Sequence, residues 1–167
     1  MMKFLQLKYS IIYLQSRKVF GKYCFYGCWC LPHGAADMGV GHGTPVDVVD
    51  QSCKEFATCH NCLYSTEYGK GCDANPEAKY KVAGRVEVAT GKKYLMCMDA
   101  PKSCNRMRCE CDKAFAEKLE KYENEWNIDH HRRWGANPFD AQNRCLTGAE
   151  AIQHRKLKAS SQFKFKF

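Results

Sequence analysis

Twelve of the 167 residues are cysteine, and this constrains the fold more than any other feature. An even cysteine count in a chain of this length reads as a disulfide framework formed in an oxidising compartment. Such cross-links let a modest core hold, because they restrict the unfolded chain. Cys28 and Cys30 are separated only by Trp29. Cysteines that close cannot bridge to each other without severe strain, so each reaches a distant partner. Zinc is the competing use of the thiols. Cys59 and Cys62 have ligand-like spacing, but no second Cys-x-x-Cys faces them, which leaves disulfides as the better reading.

The stretch Tyr26-Gly27-Cys28-Trp29-Cys30 runs into a loop containing Gly34, Gly39, Gly41 and Gly43, then Pro45-Val46-Asp47 and Asp50-Gln51-Ser52-Cys53. A glycine-rich loop can aim several carbonyls at one point, which is how a hard cation such as calcium is held. Asp47 and Asp50 suit the positive end of a helix dipole and predict a helix from Asp47 to Tyr64. Its buried face would carry Val49, Cys53, Phe56, His60 and Leu63. Phe4, Leu7, Ile11 and Leu14 predict a short amphipathic helix at the start of the chain. Residues 80 to 98 alternate as a hairpin does, through Val86 and Val88, a turn at Thr90-Gly91-Lys92, then Tyr94 and Met96. A third helix is predicted over residues 105 to 127, with Met107, Cys111, Phe115, Leu119, Tyr122 and Trp126 on one stripe. The charges at Glu117, Lys118, Glu120, Lys121 and Glu123 read as a solvated face.

The formal net charge of +8 favours anionic partners without choosing among phospholipid, glycan and nucleic acid. No run is apolar enough to span a bilayer. Gln6 and Lys8 make the first residues a poor signal peptide. That sits badly with a disulfide-rich chain, and the expectation is a true N-terminus other than the one present. The tail ends Phe163-Lys164-Phe165-Lys166-Phe167; its default reading is a disordered terminus, and its alternative is contact with an anionic membrane. In His130-His131-Arg132-Arg133-Trp134-Gly135 the histidine pair could bind metal, but adjacent residues on a helix do not face one point, so a surface contact patch is the better reading.

The Tyr26–Cys30 motif, Pro45-Val46-Asp47 and Cys109-Glu110-Cys111-Asp112-Lys113 together resemble the secreted phospholipase A2 family from about Tyr23 to Cys145. The resemblance implies a mainly α, disulfide-rich fold with two long antiparallel disulfide-linked helices, the glycine-rich loop and a small two-stranded β-wing. It divides the chain into an N-terminal amphipathic helix (1–22), a phospholipase A2-like domain (23–145) and a basic-aromatic tail (146–167), and it implies secretion. The first helix would form part of the lipid-contacting rim, and Phe4, Ile11 and Phe56 would line a substrate channel. The implied bridges are Cys28–Cys145, Cys30–Cys53, Cys59–Cys111, Cys72–Cys104 and Cys97–Cys109. One further family bridge falls on Ser52 and Lys118, so both of its ends are missing together. Cys24 and Cys62 remain, and they are expected to pair.

In that family a histidine on the second helix activates the water that attacks the sn-2 ester, and an aspartate on the third helix orients it. A second aspartate joins loop carbonyls around calcium, which stabilises the oxyanion. Here the histidine position is Phe56 and the calcium-aspartate position is Ala57. The carbonyls of Trp29, Leu31 and His33 would be the remaining ligands, and without the carboxylate they would hold calcium weakly. Asp37, inside the extra residues of the lengthened loop, is a candidate replacement. His60 lies one helical turn beyond Phe56, so a shifted dyad of His60 and Asp112 is one reading. In the other, His60 stands where the family has a tyrosine that steadies Asp112, with Tyr80 as the second partner. The resemblance thus implies a phospholipase A2-like protein impaired in standard hydrolysis, acting by binding phospholipid, fatty acid or an anionic partner, with no specific nucleic acid. The alternatives are an active calcium-dependent enzyme with a rearranged site, and an extracellular matrix or toxin-like interaction protein without a lipid role.

Overall fold

The computed structural model describes residues 2–31, 41–66, 71–73 and 79–153. Helix α1 spans Met2–Leu14, α2 Val48–Tyr64, α3 Cys104–Lys121 and α4 Ala141–Arg144; strands β1 (Val82–Val86) and β2 (Lys93–Cys97) form the sheet. None of the described helices is long and apolar enough to cross a membrane.

Local chemistry sets the helix starts. The Asp47 carboxylate accepts the Asp50 N–H at 2.8 Å and caps α2, as its position in the sequence predicts. Ser103 caps α3 by accepting the Arg106 N–H at 3.2 Å, and Lys118 and Lys121 in the last turn suit its negative end. The two helices run antiparallel. Glu55 in the middle of α2 meets Lys118 in the last turn of α3, and Cys59, further along α2, is bonded to Cys111, further back on α3. One cluster of buried side chains joins α1 (Leu7, Ile11), α2 (Phe56), β2 (Leu95) and α3 (Phe115, Leu119).

The third helix is shorter than its apolar stripe predicts. It stops at Lys121, and two 3-10 turns follow at Glu123–Glu125 and Ile128–His130. The Glu123 carboxylate reaches the segment after α1 instead, accepting from Ser16 Oγ at 2.7 Å, Arg17 N at 2.9 Å and the Lys22 ammonium at 3.3 Å. The indole of Trp126 donates to the Lys22 carbonyl at 2.9 Å. The stripe still faces inward at Tyr122 and Trp126, but on a chain that has left the helix to grip the segment that follows α1.

The hairpin is antiparallel with Val82 opposite Cys97 and Val86 opposite Lys93. Leu95 and Cys97 are buried, while Tyr94 and Met96 face outward. A Cβ on Gly84 would come within 2.5 Å of the Tyr13 ring, so the missing side chain is what lets α1 lie against the wing.

All five implied bridges are present: Cys28–Cys145, Cys30–Cys53, Cys59–Cys111, Cys72–Cys104 and Cys97–Cys109. The first closes a sequence separation of 117 residues, and a loop of that size contributes about 4 to 5 kcal/mol in the chain-entropy account. The expected Cys24–Cys62 pair does not form, and both are free thiols. Helix phase explains this. Cys62 comes nine residues after Cys53, half a revolution round α2 at about 3.6 residues per turn, and so points to solvent. Cys24 packs against the core instead, where burial pushes its thiol pKa up.

Candidate functional site

Between α2 and α3 the side chains of His60 and Asp112 meet. Nε2 of His60 lies 2.8 Å from one carboxylate oxygen of Asp112, and the Tyr80 hydroxyl donates to the other at 2.6 Å. Asp112 is fully buried and His60 nearly so. A buried carboxylate accepts only, so the proton of the imidazole sits on Nε2. That leaves Nδ1 as the basic nitrogen, and it faces the Tyr64 hydroxyl at 3.2 Å. Burial, reinforced by the charge of Asp112, pushes the Tyr80 pKa upward, so the phenol stays protonated and keeps donating.

One turn earlier on α2 stand Phe56 and Ala57, both buried. The Phe56 ring stacks on Phe115 with centroids 4.4 Å apart and meets the His60 ring edge-on at 4.7 Å. A general base needs a lone pair within reach of its water. Phenylalanine has none, and the lone pair of His60 is directed at a tyrosine. Of the three residues assigned to a channel, Ile11 and Phe56 belong to one buried core cluster, and the side chain of Phe4 lies outside the described residues. A cavity of about 200 Å³ does open between α2 and α3, beside Ser52, Phe56, Phe115 and Lys118. It is the slot where the two bridge positions at Ser52 and Lys118 carry no sulfur.

The loop ahead of α2 is organised by Asp50. Its wholly buried carboxylate accepts N–H groups from Trp29 at 2.7 Å, Cys28 at 2.9 Å and Val46 at 3.0 Å. Burial raises the Asp50 pKa, and these donors counter part of the rise. Gly27 sits at φ +56°, and a Cβ there would be 2.4 Å from the Asp50 carboxyl carbon, so only glycine fits both the backbone and the space. Leu31 also lies in the left-handed region, at φ 43°, and its carbonyl accepts the Phe25 N–H at 3.1 Å. His33 and Asp37 fall outside the described residues. The described side chains do not fit a calcium ion here: Ala57 presents a methyl group, and Asp50 is committed to three amides. Among the described residues no three His, Cys, Asp or Glu side chains converge as a metal site.

A second histidine–carboxylate pair escapes sequence reasoning. Nδ1 of His130 lies 2.6 Å from Asp47 Oδ2, and the Tyr26 hydroxyl donates to the same oxygen. Only tertiary folding brings these positions together, and no local spacing signals it. Its neighbour His131 corrects the expected surface patch. It is buried, with Nδ1 accepting from Trp134 N at 2.9 Å and Arg133 N at 3.1 Å and its ring stacked 4.5 Å from that of Trp134. Burial lowers its pKa, so it stays neutral and keeps accepting.

Comparison with known proteins adds a separate line of support. Residues 4–130 match the family model described as Phospholipase A2. The chain is 32% identical over 132 residues to the acidic phospholipase A2 beta-bungarotoxin A6 chain of Bungarus multicinctus, covering 76% of this chain and 83% of that one. It is 31% identical over 110 residues to the acidic phospholipase A2 homolog textilotoxin D chain of Pseudonaja textilis, covering 64% of each.

Proposed function

This chain belongs to the phospholipase A2 family, and we propose that it is a secreted member that binds anionic phospholipid without cleaving it at the standard site. One observation carries this reading. The positions next to the His60–Asp112 pair hold a phenyl ring and a methyl group, and Tyr64 takes up the basic nitrogen of His60. The family is generally calcium-dependent. In this chain calcium would contribute little, because the carboxylate that supplies much of its affinity is replaced by Ala57. The net charge of +8 supports an anionic surface as partner, and the five disulfides support an extracellular setting.

The test is fatty-acid release from phosphatidylglycerol vesicles with and without calcium, run beside vesicle co-sedimentation. The expected result is binding with release at the vesicle-only background. Calcium-dependent release that disappears in His60→Ala would overturn the reading and establish a rearranged active site. Failure to bind any vesicle or fatty acid would make the chain an interaction protein without a lipid role.

A further inference from the structure

The wing and α1 share an outward surface that the His60–Asp112 pair does not use. Leu5 and Tyr9 of α1, with Lys79 and Val82, line a depression of about 340 Å³. Tyr9 stacks on Tyr13 at 5.9 Å, Tyr13 lies against Gly84, and the Lys93 ammonium sits 5.7 Å from the Tyr13 ring centre. Register places Lys93 opposite Val86, so the two side chains share a face of the wing. Leu5, Tyr9 and Val86 are each about half exposed, and beyond them at the hairpin turn Val88 is 100% exposed.

Several polar groups of the turn are bonded within it. Glu87 N–H donates to the Lys92 carbonyl at 2.8 Å, Gly91 N–H donates to the Glu87 carbonyl at 2.8 Å, and the Thr90 hydroxyl donates to the Glu87 carboxylate. Val88 can therefore leave water without stripping these groups of partners.

We propose that this ridge docks on an anionic phospholipid bilayer, with Val86 and Val88 entering the acyl boundary and Lys79 and Lys93 at the headgroups. The tyrosines fit the boundary between them, because each ring has an apolar body and a polar tip. The proposal rests on the lipid-binding reading above and adds the surface that does the binding. The acid nearest the tip, Glu87, is held by Thr90 within the turn.

The experiment is co-sedimentation with vesicles of phosphatidylcholine alone and with about one third phosphatidylserine. Val88→Asp should weaken binding to the anionic vesicles about tenfold, through lost burial and added repulsion. Met98 is half exposed at the far end of the wing, past β2, and Met98→Asp makes the same charge change with a loss of about twofold. Equal losses in the two variants would overturn the ridge while leaving lipid binding intact. Wild-type protein that binds neither vesicle removes the lipid-binding reading and this one with it. A change in the sedimentation coefficient of lipid-free Val88→Asp would make the ridge a protein contact and also overturn the proposal.

Discussion

Two carboxylates in this molecule are each held by a histidine and a tyrosine, at different depths of burial. Asp112 and His60 meet at 2.8 Å with side chains 1% and 9% exposed, and Tyr80 completes the set. Asp47 and His130 meet at 2.6 Å with 18% and 19% exposed, and Tyr26 completes it. The inner set links α2 to α3 and Tyr80, where a missing bond cannot be replaced by water. The outer set is a clasp. Asp47 caps α2, Tyr26 Oη accepts the Asn127 N–H at 3.2 Å, and the His130 carbonyl accepts the Gly27 N–H at 2.8 Å. In both places a histidine beside an aspartate links separate elements of the chain. A general base needs an open nitrogen beside a substrate site, and Nδ1 of the inner histidine lies 3.2 Å from the Tyr64 hydroxyl.

The largest break in this contrast comes from the wall of the inner set. Phe56→Ala should cost about 3 to 5 kcal/mol in chemical denaturation under oxidising conditions, because it removes a ring packed between Phe115 and His60. A loss below about 1 kcal/mol would mean the ring is not part of a closed core. Next come the carboxylates themselves. Asp112→Asn should cost about 2 to 3 kcal/mol, since it leaves two buried donors facing an amide. Asp47→Asn should cost no more than about 1 kcal/mol, because asparagine also caps helices and water reaches the site. Equal costs would show that burial does not separate the two sets.

Much of this arrangement is legible before any coordinates. The motif around Cys28 and Cys30, with Cys109 and Cys111, carries the family and hence five bridges. Asp47 announces α2 because a cap is local chemistry. Asp112 with His60 and Tyr80 was readable because each position matches a family residue with a known neighbour. The misreadings share a cause. Elimination pairs Cys24 with Cys62, but helix phase turns Cys62 outward. An apolar stripe carries α3 past its end, because a stripe records burial whether or not the chain is helical. Asp47 with His130, 83 residues apart, and the burial of His131 depend on how the segment after α3 folds back, and no short-range pattern encodes that.

The smallest effect belongs to a third pair, more exposed than the other two. Nε2 of His42 lies 2.8 Å from Glu150 with side chains 59% and 45% exposed. Glu150 also accepts the Thr147 N–H at 2.7 Å. The Thr147 amide, then its hydroxyl, then His42 hold the Glu150 carboxyl at a pKa of about 2, against an ordinary 4.5. A depressed acid contributes its stability above the unfolded pKa, so this contribution is complete above pH 4.5 and is lost as the pH falls toward 2. Solvent screening keeps that contribution too small to register in a melting curve. It is visible site by site: an NMR titration of the Glu150 side-chain carboxyl should show a midpoint near 2. His42→Ala should raise that midpoint, while Thr147→Ala, which keeps the backbone amide, should leave it well below 4.5. A midpoint near 4.5 in either variant would mean that a side chain rather than the amide holds this carboxylate, and the exposed pair would then be fastened as the two more buried ones are.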